Sequence, residues 1–215
     1  MLNIASANRV HSARERLLDA AAELFATRGF QAVGLRDLAS CLGLQAGSLY
    51  HHIENKQSLL FELIESALSN LMLDTMRRLK SARSAREHLP IFIKTFVAFN
   101  FNERHKLALI TREFANLDEE QKQQIVQLKN SYSSLLSKII AHERGEKTNS
   151  GGDTCPTTHA VIVILFGQSQ WYALESTESR LTKTLTNLVM CLIAQSKKNR
   201  EPAALQRTFE HSSGR

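Results

Sequence analysis

The sequence predicts an all-α protein: a short N-terminal three-helix unit followed by a larger helical body. Three observations carry this. The 215 residues include nine Gly and three Pro, too few to supply the frequent turns that a chain of short strands needs. Between Ser48 and Arg144 there is no Gly, and Pro90 is the one Pro, so little in that stretch ends a helix. Apolar residues recur along it at three- and four-residue spacing. A hydrophobic fraction of 43% with 22% charged residues is the balance of a globular chain, long enough to bury a core without disulfides or metals.

Residues 1–11 read as a flexible arm. The first helix is expected over 12–28, with Leu17, Ala21, Leu24 and Phe25 on one face and Gly29 as its stop. A second fits 35–41, with Gly34 at the cap position, which Gly tolerates. Leu42-Gly43-Leu44 forms a turn, and a short third helix fits 45–51. Asn55 or Ser58 can cap a long helix over 56–80, whose apolar face is Leu59, Leu60, Leu63, Ile64, Ala67, Leu68, Leu71 and Met72. Further helices fit 85–101, 104–115, 118–143, 156–174 and 178–196. Residues 144–154 (RGEKTNSGGDT) form the one clear loop. The division is therefore 12–56, 57–197 and a polar tail, 198–215, expected to be disordered.

The formal charge of +6 suggests an anionic partner. Its location does not identify one. Residues 1–56 carry six Lys/Arg against five Asp/Glu, whereas 176–215 carry seven against three. The excess lies toward the C-terminus, half of it in 197–215. The cysteines, Cys41, Cys155 and Cys191, are widely spaced and odd in number, which reads as reduced thiols. There is no apolar core of signal-peptide length at the start, and the longest apolar run, 160–167, is too short to span a bilayer. A cytoplasmic protein with no membrane partner is expected. No metal site, cofactor or catalytic residue is expected either. HExxH, P-loop and GxSxG motifs do not occur, and the adjacent His51 and His52 are a poor chelate.

Residues 29–60 carry the functional signal. A short helix, a Gly-containing turn and a second short helix beginning with small or hydrogen-bonding residues make a helix-turn-helix. Gln45, Ala46, Gly47 and Ser48 can enter a major groove without clashing. Leu49 points back to the core, Tyr50 and His51 fall where phosphates run, and Lys56 adds a positive charge.

These residues resemble the DNA-binding domain of the TetR family of bacterial transcriptional regulators. The matching runs are Ala20–Phe25 (AAAELF), Arg28-Gly29-Phe30, Leu35–Ala39 (LRDLA), Gly43-Leu44, Gly47–His52 (GSLYHH), and Lys56 with Leu59-Leu60. Two positions depart from the family pattern. Gly34 stands where Ser or Thr usually caps the second helix, and Ile53 where Phe usually stands. The resemblance implies a homodimer on partly palindromic double-stranded operator DNA, most often as a ligand-responsive repressor. It implies that Arg36, Tyr50, His51 and Lys56 sit on phosphates while Gln45, Ala46 and Ser48 read bases.

It further implies that the last two long helices pair between subunits through Val161, Leu165, Leu181, Leu185, Leu188 and Leu192. The middle helices would enclose an effector pocket lined by Phe92, Phe96, Phe99 and Trp171. The 111–132 stretch resembles a subgroup that senses acyl-coenzyme A or other lipid-like metabolites, which would give Arg112 an anionic group to meet. The alternative from another class is a helical ligand-binding or enzymatic protein that does not act on DNA. The small, polar start of the second short helix favours DNA.

Overall fold

The computed structural model describes residues 12–49, 53–145, 155–171 and 177–198, and among these residues it has helices and no strand. The helices are α1 (Ala13–Arg28), α2 (Leu35–Cys41), α3 (Ala46–Leu49), α4 (Lys56–Lys80), α5 (His88–Asn102), α6 (Arg104–Arg112), α7 (Glu119–Arg144), α8 (Pro156–Trp171) and α9 (Glu178–Lys198). The arm, residues 146–154 of the expected loop and residues 199–215 of the expected tail lie outside the described residues.

Helix ends follow local chemistry. Ser12 caps α1 in a reciprocal box with Glu15, and Asp118 does the same for α7 with Gln121. Asn55 caps α4 by accepting from the Ser58 amide at 2.8 Å. The α2–α3 turn closes with Leu44 N–H donating to the Ala39 carbonyl at 2.8 Å and Gly43 N–H to Ser40 at 3.1 Å. That closure needs a left-handed residue, and Gly43 has φ 66°.

Two expected helices are divided. Residues 85–87 form a 3-10 turn before α5, and Pro90 falls in the first turn of α5, where its missing amide has no helical partner to lose. Residues expected at the end of α6 instead form a separate 3-10 turn, Phe114–Asn116. Its Asn116 side chain bonds to the α1–α2 connection, as described below.

Two apolar cores meet along α4. The first packs Leu17, Phe25, Phe30, Leu38, Leu49 and Ile53 against the N-terminal half of α4 and continues into Leu109, Ile110, Leu117 and Ile125 of the body. Ile53 is buried, so it fills the plug position despite being smaller than Phe. The second core joins α5, α7, α8 and α9 through residues including Phe92, Phe96, Tyr132, Leu136, Val161 and Leu165. At the far end the buried Arg144 donates to Cys155 Sγ at 3.1 Å, and to the hydroxyls of Thr157 and Ser196. It ties the end of α7 to the start of α8 and the end of α9. Among the described residues no helix is long and apolar enough to cross a membrane.

Candidate functional site

The helix-turn-helix presents a polar face on an apolar footing. Leu38 and Leu49, one from each short helix, are fully buried. With those anchors inward, Arg36, Gln45 and Ser48 are exposed. The side chain of Ala46, and Tyr50 and His51 altogether, lie outside the described residues. The amide of Gly34 is engaged by Asp37, whose carboxylate accepts from it at 2.7 Å. This is the return half of a capping box; the bond that a hydroxyl at position 34 would accept from the Asp37 amide has no side-chain counterpart.

Lys56 is placed differently from the expectation. Its ammonium donates to the carbonyls of Phe30 and Val33 at 2.9 and 3.0 Å and lies 4.3 Å from the centre of the Phe30 ring. Two carbonyls of the α1–α2 connection have no helical partners, and the lysine satisfies both. Those two bonds tie the head together.

A network fastens the head to the body. Glu113 Oε1 accepts from the Phe30 amide at 3.4 Å, and its other oxygen accepts from Asn116 Nδ2 at 2.6 Å. Asn116 Oδ1 accepts from Gln31 Nε2 at 2.7 Å, and the Asn116 carbonyl accepts from Gln57. The turn at Glu113–Asn116 is thus the polar junction. An exposed ion pair, Arg14–Glu62 at 2.6 Å, adds little, since water screens it.

The body holds a cavity of about 330 Å³ between α4, α6, α7 and α8, at the small end of the roughly 300–1,000 Å³ typical of small-molecule sites. Its lining is mainly apolar, with Leu68, Ile110, Ile162 and Phe166 among the walls and Thr111 and Ser133 as neutral polar groups. Among the described residues Lys129 is the one charged residue in the lining. Its ammonium lies 4.1 Å from the centre of the Phe114 ring, and burial holds its pKa below the ordinary lysine value.

Most of the expected pocket residues fall elsewhere. Phe92 and Phe96 are fully buried core: Phe92 packs on Tyr132 with ring centres 4.8 Å apart, and Phe96 on Phe166 at 4.9 Å. Phe99 borders a separate recess beside Asn70 and Lys106. Arg112 is exposed. One residue beyond the cavity-lining Thr111, it is turned about 100° around α6. The Trp171 side chain lies outside the described residues. Lys129 was legible as a lysine four residues after Ile125 and three before Tyr132, interrupting the buried stripe of α7.

The expected subunit interface also changes. Val161, Leu165 and Leu185 are buried in the chain's own second core. α5 and α7 already cover them, so they are not available to a second subunit. Leu188 is 52% exposed, and Leu181 and Leu192 are half-buried at its sides.

A helix-turn-helix head joined through one long helix to a cavity-bearing helical body defines a class, the helix-turn-helix regulators. Residues 17–63 match the family model described as bacterial regulatory proteins, tetR family, and residues 82–193 match that of the tetracyclin repressor-like C-terminal domain. The chain belongs to the TetR family. Among curated relatives, the transcriptional repressor KstR2 of Rhodococcus jostii is 47% identical over 58 residues, covering 27% of this chain and 28% of that protein. KstR2 of Mycobacterium tuberculosis is 33% identical over 128 residues, covering 55% and 64%. The matches therefore span only part of these relatives. The solved structure of M. tuberculosis KstR2, a ketosteroid transcriptional regulator, superimposes with a TM-score of 0.73 at 19% identity over 87% of this chain and 96% of that one. That of AibR in complex with isovaleryl coenzyme A and operator DNA gives 0.70 at 19% identity, over 81% and 96%. These likenesses establish the fold.

Proposed function

We propose that this protein is a cytoplasmic transcriptional repressor. It binds a partly palindromic operator as a homodimer and releases it when a small amphiphilic ligand fills the body cavity. The observation that carries the reading is the exposed row of Arg36, Gln45 and Ser48 standing on buried Leu38 and Leu49. Gln45 and Ser48 can hydrogen-bond base edges, and Arg36 can meet a phosphate. KstR2 of M. tuberculosis is a ketosteroid transcriptional regulator, and AibR was solved with both an acyl-coenzyme A and DNA. Both support a regulator with an acyl or similarly apolar effector. The reading treats the chain as a binding protein and not an enzyme.

The head and body divide near Lys56, with α4 belonging to the body while its first turns complete the core of the head. The subunit contact uses the outer face of α9 around Leu188, flanked by Leu181 and Leu192. An exposed leucine stripe of this kind suits four-helix packing between copies.

The test is binding to DNA upstream of the protein's own gene across a salt series. Arg36→Ala is expected to weaken binding on all sequences and to reduce the salt slope by about one. Wild-type binding that is indifferent to both salt and sequence would sink the proposal. Leu188→Glu is expected to yield monomers in sedimentation; an unchanged dimer would place the contact elsewhere.

A further inference from the structure

We infer that Lys129 is the effector-sensing residue of the cavity. Its ammonium exchanges the face of Phe114 for the head oxygen of an acyl ligand, and that exchange loosens the turn through which the body holds the helix-turn-helix. The inference rests on the ligand-responsive reading above and gives it a residue and a route.

Three observations converge. First, among the described residues Lys129 is the only charged side chain lining a cavity that is otherwise apolar and neutral. Such a site orients its ligand by very few polar groups, and here the strongest of them is a cation. The complementary ligand carries an apolar chain of short to medium length, given the volume, with an electronegative oxygen at one end. A carboxylate and a thioester carbonyl share that chemistry.

Second, the lysine is weakly compensated. It is half-buried, and among the described residues its polar pairing is the ring of Phe114, with no carboxylate or carbonyl acceptor. A ring face attracts a cation through its quadrupole alone, whereas an oxygen acceptor supplies a directed hydrogen bond, stronger still if ionised. Burial, which lowers the lysine's pKa, shows that its charge is incompletely solvated. The head oxygen of a ligand can therefore outcompete the ring. Lys56 shows the contrast within the same chain: it also lies on a phenylalanine, but two carbonyls already hold it.

Third, Phe114 joins Lys129, on the cavity wall, to the junction. Its neighbours Glu113 and Asn116 bond to the Phe30 amide and to Gln31, and Gln57 at the start of α4 donates to the Asn116 carbonyl. Phe114 itself packs against the core that the head shares with the body. Withdrawing the cation from its ring acts on the two residues that grip the head.

The experiment measures operator affinity for wild type, Lys129→Met, Phe114→Leu, the double variant and Lys129→Arg, with thermal melts to verify folding. Without added ligand, Lys129→Met and Phe114→Leu should each weaken binding by roughly three- to thirty-fold, the range of one partly desolvated cation–π contact. The double variant should lose no more than either single one, because both remove the same contact. Lys129→Arg should bind like wild type, since a guanidinium also stacks on an aromatic face. Calorimetry then uses octanoate, octanoyl-coenzyme A and 1-octanol. Lys129→Met should lose about tenfold or more in affinity for whichever acyl probe binds, and Phe114→Leu should retain it. Octanoate and its thioester distinguish a free acid from an activated one, and 1-octanol is the control without the carbonyl.

Additive effects in the double variant, or wild-type affinity in both single variants, would overturn the coupling. Binding of the acyl probes that is indifferent to Lys129, or absent, would overturn its sensing role. Either result, with wild-type operator binding intact, leaves the repressor reading standing. Loss of the repressor reading shows instead as wild-type protein that does not recognise operator DNA.

Discussion

The head and the body each seat a lysine on a phenylalanine, and the two pairs differ in what surrounds them. Lys56 lies 4.3 Å from the Phe30 ring centre and donates to two carbonyls. Lys129 lies 4.1 Å from Phe114 beside a cavity. The ring contacts are nearly equal in geometry, so the difference comes from the acceptors. A cation whose protons are already placed is part of the architecture, because moving it strands two carbonyls. A cation on a ring alone, next to open volume, can change partners without leaving any hydrogen bond broken.

The largest effect that tests this comparison is expected at Lys56. Lys56→Met keeps the stem and removes the charge, and should cost about 2–4 kcal/mol through two charge-assisted bonds and the ring contact. Chemical denaturation reads it. The variant's residual operator binding should keep the wild-type salt slope. A stable Lys56→Met protein with a flattened slope would return this lysine to the DNA. Next comes the junction between the two pairs. Asn116→Ala removes the bonds to Gln31 and Glu113 and should cost about 1 kcal/mol. Its diagnostic is faster amide exchange at Phe30 and Gln31 than in wild type; unchanged exchange would mean the junction holds without Asn116.

The smallest effect is expected at Lys129, where Lys129→Met should leave stability near neutral pH unchanged or slightly raised. The pH dependence carries the sign. The folded-state pKa is depressed below the ordinary 10.5, so the unfolded chain binds more protons between those two values. Wild-type stability therefore gains on the variant as pH rises through that window, and below it the cost of the buried charge is fully present. Parallel stability curves for wild type and variant across this range would contradict an incompletely solvated ammonium.

Much of the fold was legible because helix ends are written locally. Asn55 and Asp118 mark the starts of α4 and α7, and Gly43 marks the turn. The exposed reading face was legible for the same reason, since Leu38 and Leu49 fix which way Arg36 and Ser48 point. Residues 113–115 were expected in α6 but leave it, because the side chains of Glu113 and Asn116 bond to Phe30 and Gln31, more than eighty residues away. Val161, Leu165 and Leu185 show the same limit. Their periodicity identifies an apolar face, but whether that face meets α5 and α7 or a second subunit depends on tertiary packing. Arg112 was expected at the pocket and Lys129 was not; helix phase decides which of them lines the cavity. α6 turns its arginine outward, while α7 brings its lysine to the cavity wall.

α4 gives the cavity mechanical reach. It runs unbroken for 25 residues, with Leu68 at the cavity wall and Lys56 at the first turn beneath the head. Those two lie about 18 Å apart along the axis at 1.5 Å per residue. Pivoting the rod by about 10° at Leu68 sweeps its tip through about 3 Å, the length of one hydrogen bond. With Lys56 riveting that tip to the carbonyls of the head, little of the sweep is dissipated at the joint. A displacement too small to disturb the core around Phe92 is enough to shift the exposed face of the head, Gln45 and Ser48 included, by the length of a hydrogen bond.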